Sequence, residues 1–287
     1  MANKFIKRAG RKAVRTGTHI AATSATRAAK AKVAAAVSAA VIAGLGGAWA
    51  VASDAADSAV QEIMAAIGIE QPADSGTAEK LTAHTWSFAE APEYYTVRGK
   101  AKVTDIKKGK VSYAGLDKLG RTQAVTAKVT YSMVEKSAGW REDMPPEADT
   151  ISGWGHNTKV SVVLANGKTY NGYAFNRSHL LADSLGGHAV KENLITGTRT
   201  QNVGSNDQSN PGGMAYTETL ARNYLYKHKG GWVYYRATPV YKGSELVARS
   251  VYVDIKSDDG SIDKRVEVYN TMNGYKVDYK TGKISRG

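Results

Sequence analysis

The 287-residue sequence predicts an α+β protein built on a central antiparallel β-sheet. Three observations carry that prediction. Val125, Ala127, Val129, Tyr131 and Met133 alternate with polar residues, the two-residue period of a strand with one buried face. Asn166-Gly167 stands between two strand-like segments, 159–165 and 168–175, where it signals a tight hairpin turn. Met214, Thr217, Leu220, Ala221 and Tyr224 repeat at helical spacing after Asn210-Pro211, which reads as an asparagine cap with proline in the first turn. Residues 136–158, which include Pro145-Pro146, read as a long loop. Further strands are expected at 232–241, 246–256, 262–270 and 275–279, with turns at Asp259-Gly260 and Asn273-Gly274. Around His179, which directly follows the second strand, the expected order is strand, turn, strand, loop, helix.

The region before residue 97 reads differently. Residues 1–52 hold nine Lys/Arg and no Asp/Glu, and residues 33–52 form an uncharged run, VAAAVSAAVIAGLGGAWAVA. Cations followed by an apolar run fit a signal peptide, with small residues at 48, 50 and 52 for a cleavage site. The same run is long enough for an uncleaved membrane anchor. Either way the rest of the chain is expected outside the cytoplasm. Residues 53–96 hold eight acids and one lysine and read as a spacer, with a short amphipathic helix at 53–69 and a linker at 71–78. Residues 97–287 are then the folded domain, with 29 Lys/Arg against 18 Asp/Glu, a net charge of +11. A basic body attracts polyanions. The absence of cysteine excludes disulfides and Cys-ligated zinc or iron–sulfur centres. No HExxH-type spacing points to a zinc hydrolase.

The residues with most chemical content are Asn176-Arg177-Ser178-His179, Asn193 and Asn202. A neutral imidazole can take a proton from water near pH 7. An arginine can hold a phosphate with two parallel hydrogen bonds. A carboxamide oxygen is a hard, neutral ligand suited to Mg²⁺, which keeps most of its waters. Together these groups suit phosphodiester hydrolysis with one divalent metal.

The segments 175–180 (FNRSHL), 193–204 (NLITGTRTQNVG) and 212–218 (GGMAYTE) resemble the DNA/RNA non-specific endonucleases, a group with a ββα-metal site. They are most similar to its branch of streptococcal secreted DNases and the DNA-entry nuclease. Weaker similarity runs from about Tyr113 through Trp154-Gly155-His156-Asn157 to the C-terminus. The wider family carries Asp-Arg-Gly-His where this chain has Asn176-Arg177-Ser178-His179. The resemblance implies that His179 is the general base and that Asn202 holds a single Mg²⁺, for which Mn²⁺ could substitute. It implies that Glu218 holds one of the metal's waters and that Asn193 positions the metal loop or a phosphate. It also implies that Arg177 orders the motif or contacts phosphate, and that Arg141 binds substrate phosphate. His156 is placed near the site, and Arg199 and Asp183 also lie in the motif window, where a structural role competes with a functional one. The expected substrates are DNA and RNA, cut by water to leave a 5′-phosphate, with membrane contact through 33–52 if that run is uncleaved.

Two other classes compete. A non-catalytic surface module for DNA capture would share the basic body but has no need of His179 and Asn202. A lectin-like surface sheet would explain the strands and tyrosines but not the motif cluster. An HNH-type site needs a second histidine within helical reach of Glu218, for which only His228 is available.

Overall fold

The computed structural model describes residues 81–139 and 142–287, all within a compact unit that spans 69–287. The expected signal or anchor run, the helix at 53–69, the linker at 71–78 and Arg141 lie outside the described residues. Among those described, no helix is long and apolar enough to cross a membrane.

Six antiparallel strands form the central sheet in the order β1-β10-β9-β8-β3-β2. They are β1 (Tyr95–Val97), β2 (Val111–Tyr113), β3 (Val125–Thr130), β8 (Trp232–Val240), β9 (Ser250–Ser257) and β10 (Asp263–Tyr269). Three separate hairpins complete the strands: β4 (Lys159–Val163) with β5 (Thr169–Tyr173), β6 (Phe175–His179) with β7 (Leu194–Thr198), and β11 (Tyr275–Asp278) with β12 (Lys283–Arg286). Helix α1 spans Tyr131–Ser137, α2 Arg199–Val203 and α3 Gly213–Lys227. The α+β class and the antiparallel sheet are therefore as expected.

The core is rich in tyrosine, and each buried ring brings a hydroxyl that must be satisfied. Tyr94, Tyr113, Tyr234 and Tyr235 are fully buried. Their hydroxyls accept from Asn273 N at 3.2 Å, His188 N at 3.0 Å and Thr104 N at 3.1 Å, and Tyr235 pairs with the Thr217 hydroxyl at 2.9 Å. The Thr217–Tyr235 bond fixes α3 on the face of β8. The periodicity expected for α3 is met by buried Met214, Thr217, Ala221 and Tyr224.

Several boundaries differ from expectation. The strand at 125–133 stops at Thr130, because Tyr131-Ser-Met-Val-Glu-Lys-Ser turns helical and buries only Val134. Within the expected loop 136–158 lies a 3-10 turn, Pro146–Thr150, started by proline. Helix α3 begins at Gly213 with Gly212 as its cap, not at Asn210. The chain is too tight there for a side chain: a Cβ on Gly212 would lie 2.3 Å from Glu93 Oε2. Strands β1, β2, β6, β7 and β12 are additional to those expected, and the 246–256 strand starts only at Ser250.

The fold also begins before residue 97. Tyr94 is fully buried and Tyr95 stacks on Tyr216 of α3 with ring centroids 4.0 Å apart. Further back, the His84 ring lies 2.8 Å from buried Glu267, which also accepts from Arg98 Nε at 2.9 Å. The segment 84–97 is thus a strap bound to the sheet edge, not a spacer.

At the other end, the β11–β12 hairpin closes on the loop before β4. A Cβ on Gly282 would lie 1.9 Å from the Gly153 carbonyl oxygen, so the two backbones meet directly. Trp154 and the hairpin residues Tyr275, Val277 and Ile284 pack against one cluster, centred on Val160, Val162, Phe175 and Met272.

Candidate active site

The motif residues occupy the β6–β7 hairpin and the helix that follows it. His179 is the last residue of β6, opposite Leu194 of β7. It does not follow the Asn166-Gly167 hairpin directly, as expected. That hairpin is β4–β5, and Phe175 starts a new strand with a different partner. Asn157 marks the change of partner: its side chain accepts from Phe175 N at 2.9 Å and donates to Phe175 O at 2.8 Å.

The loop between β6 and β7 is pinned by Asn193, which is fully buried. Its Oδ1 accepts from Leu181 N at 2.9 Å, and its Nδ2 donates to Leu181 O at 2.9 Å and His188 O at 2.8 Å. The carboxamide is therefore spent on backbone, and Asn193 shapes the loop after His179.

Asn202 sits on the short helix α2, whose position is fixed from three directions. Thr198 caps it, accepting from Gln201 N at 3.0 Å. Buried Asn270 accepts from Thr198 N at 2.7 Å and donates to Thr196 O at 2.9 Å. Beyond the helix, the Glu93 carboxylate accepts from Ser205 N at 2.8 Å and Ser205 Oγ at 2.6 Å, while its carbonyl accepts from Gly213 N at 2.8 Å. One residue of the N-terminal strap thus ties the end of α2 to the start of α3. Asn202 itself keeps capacity in hand: among the described residues its Oδ1 receives only a long bond from Ser178 Oγ at 3.3 Å. Ser178 is the neighbour of His179, so this contact brings the histidine strand and the asparagine helix together.

Glu218 lies on α3. Burial pushes its carboxyl up to about 7, with Arg222 opposing the shift. Arg222 donates to Ser184 Oγ at 2.9 Å, which holds this part of α3 against the loop that follows His179. Arg177 is occupied: it pairs with Asp149, and its guanidinium lies 4.8 Å from the centroid of the Trp154 ring. That arrangement orders the motif. His156 is exposed and His228 stacks on Tyr224, so neither histidine adds to a metal cluster.

Arg199, in the motif window, has a setting that a purely structural residue does not need. It is three positions before Asn202, on the same side of α2. Its guanidinium lies 5.0 Å from the Tyr170 ring centroid, and burial lowers its pKa. Arg199 Nη1, Arg177 Nε and both polar atoms of Gln201 are buried without hydrogen-bond partners among the described residues. Such atoms are costly and rare, and here they gather in the motif window. A desolvated guanidinium lacking an acidic partner marks a place prepared for an anion.

Among the described residues no three His, Cys, Asp or Glu side chains converge as a metal cluster. The donor with spare capacity is the Asn202 oxygen, which fits a hard cation that retains its waters.

Comparison with known proteins accords with this arrangement. The profile of the DNA/RNA non-specific endonucleases matches residues 92–282. A deoxyribonuclease of Streptococcus dysgalactiae subsp. equisimilis is 32% identical, over 68% of this chain and 74% of that protein. The Sda1 nuclease, solved with a bound zinc ion, superposes with a TM-score of 0.66 at 36% identity, over 70% of this chain and 100% of that one. NucA from Streptococcus agalactiae, solved with magnesium, gives a TM-score of 0.50 over 66% and 84% of the two chains, and at 23% identity it speaks for the fold alone. With its ββα hairpin-and-helix site and a profile match across two thirds of its length, the chain belongs to the DNA/RNA non-specific endonuclease family and is a metal-dependent nuclease.

Proposed function

We propose that the protein is an exported, Mg²⁺-dependent endonuclease that hydrolyses DNA and RNA without sequence preference. The observation that carries this reading is the joining of His179 and Asn202 through Ser178, on a strand and a helix clamped by Thr198, Asn193, Asn270 and Glu93. His179 takes the proton of the attacking water. Arg199 holds a non-bridging phosphate oxygen, which supplies the anion its buried guanidinium lacks. Arg177 orients the strand through Asp149 and Trp154. The Asn202 oxygen would hold the cation, and Glu218 would accept from one of its waters. When bound, Mg²⁺ supplies positive charge for the phosphate and the leaving oxygen. Since phosphates carry the affinity, no base readout is required.

Export is supported by the nine cations and the apolar run of residues 1–52. The domain boundary is proposed to fall upstream of His84, where the strap begins. A plasmid-nicking assay with and without EDTA tests the activity. Nicking that EDTA abolishes is expected. Binding without nicking at any Mg²⁺ concentration would favour the non-catalytic capture module.

A further inference from the structure

We infer that the protein carries a second polynucleotide-binding surface, built for an unpaired strand, at the end of the central sheet where α1 begins and α3 ends. The inference rests on the nuclease reading above for its substrate class, but not on any catalytic residue.

Tyr131, the first residue of α1, and Tyr226, in the last turn of α3, meet edge to face with centroids 6.1 Å apart. Lys229 Nζ lies 4.7 Å from the centroid of the Tyr131 ring. Around the end of the sheet, Lys128 Nζ lies 4.7 Å from the centroid of the Trp232 ring. The two halves are joined where Lys108 Nζ donates to the Gly230 carbonyl at 2.7 Å. Tyr226 is 49% exposed, and Tyr131 and Trp232 are half-buried. Two acids of this region are each engaged by a tyrosine. Glu135 accepts a long bond from the Tyr131 hydroxyl at 3.3 Å, and Asp258 is engaged by Tyr224.

This is an alternation of aromatic faces and ammonium groups, which is what a flexible polyanion with exposed bases can use. An exposed cation–π contact is worth about 0.5–1 kcal/mol. Base stacking on an aromatic side chain is worth about 1–3 kcal/mol. An incoming strand offers phosphates to the lysines and bases to the rings, so both partners of each present contact gain from the exchange. A duplex offers phosphates only, because its base faces are already stacked.

The surface is also within reach of the site. Glu218 and Tyr226 are eight residues apart on α3, roughly 12 Å along the helix axis. At the ~3.4 Å spacing of fully stacked nucleotides that is at most about four nucleotides, and fewer for an extended strand. Met133 of α1 lies against Gly186 in the loop after His179, so α1 bridges the two regions.

The test uses the full chain with Tyr226→Ala and Lys229→Glu combined, both at exposed positions. Steady-state cleavage is measured on a long single-stranded oligonucleotide, on its duplex, and on a small chromogenic phosphodiester. KM for the single strand should rise roughly 10-fold, the scale of one lost stack, with kcat unchanged. The duplex should change much less, and the small phosphodiester not at all. An unchanged KM on the single strand, or an equal rise on single strand and duplex, overturns the inference. Fluorescence anisotropy of a labelled thymidine homopolymer in EDTA reads the surface without catalysis. Loss of affinity in the variant there supports the surface even if the parent protein cuts nothing, a result that would sink only the nuclease reading. Unaltered affinity there overturns the surface whatever the cleavage data show.

Discussion

At the scale of single residues, the chemistry turns on groups that are held but not used up. His179→Ala should lower the cleavage rate by about 10²–10⁴, the usual worth of a positioned general base. DNA binding in EDTA should survive, and near-normal cutting would remove His179 from the mechanism. Asn202→Ala should shift the Mg²⁺ titration to higher concentration while the metal-free melting curve stays put. An unaltered titration curve would refute the ligand assignment. Glu218 gives a pH-dependent test. Burial raises its folded-state carboxyl from 4.5 to about 7, so the metal-free folded protein keeps that proton longer than the unfolded chain. Stability is therefore lost as pH rises through this window, by roughly 3 kcal/mol at most, and levels off above it. In EDTA, Glu218→Gln should melt higher than the parent at pH 8 and alike at pH 4. Equal gains at both pH values would contradict the burial account. The motifs that carry His179 and Asn202 stand out in the sequence because each is local, and the structure sets the two residues on neighbouring elements. The setting of Arg199 does not, since its lack of an acidic partner among the described residues is a fact about neighbours distant in the chain.

At the scale of elements, the notable feature is how far away the supports of α2 lie. Glu93 and Asn270 stand on opposite flanks of the sequence yet hold one five-residue helix. Glu93→Ala should cost about 1–3 kcal/mol for the buried Ser205 groups it strands. It should also weaken metal-dependent turnover without touching His179 or Asn202. Full stability with normal turnover would show the tie to be dispensable. Periodicity revealed α3, the main sheet strands and the β4–β5 turn, because each is set by its own residues. It misjudged the end of β3 and the start of α3. At Thr130 the alternation continues through Tyr131 and Met133 while the backbone turns helical. At Gly212 the cap is chosen by the closeness of Glu93. Asn270 read as part of a strand end near the Asn273-Gly274 turn, and nothing local distinguishes it from a solvated asparagine. The change of partner at Phe175, which separates the site hairpin from β4–β5, is likewise invisible to a two-residue period.

For the molecule as a whole, charge and the strap determine how the protein behaves. Residues 97–287 carry +11, so DNA affinity should fall steeply and linearly on a log scale with salt as condensed counterions are released. A shortened chain beginning at Ala83 should keep that slope, since residues 97–287 carry their +11 without the leader cations. A slope that collapses on removing residues 1–52 would assign the binding to the leader instead. The same shortened chain should fold, because it retains His84, Glu93 and Tyr94. A chain beginning at residue 97 should not, because it loses the fully buried Tyr94 and the Glu93 tie. The class, the basic body and the site's place between strands and a helix were all apparent from composition and order. The strap was not: its acidic, proline-containing sequence resembles a linker, and only its contacts with Glu267, Ser205 and Tyr216 show otherwise.

The meeting of Gly153 with Gly282 sets a timetable for the protein's birth. Translation delivers the histidine strand and the asparagine helix some 80 residues before it delivers the glycine that backs the Trp154 loop. Trp154 in turn carries the arginine beside His179. A nascent chain therefore has its chemical groups long before it has the wall that aligns them, and the site is completed only when the β11–β12 hairpin arrives. Chains released at residue 274 should still bind DNA but cut it poorly. Adding the missing hairpin back as a peptide offers a direct measure of how late the activity switches on.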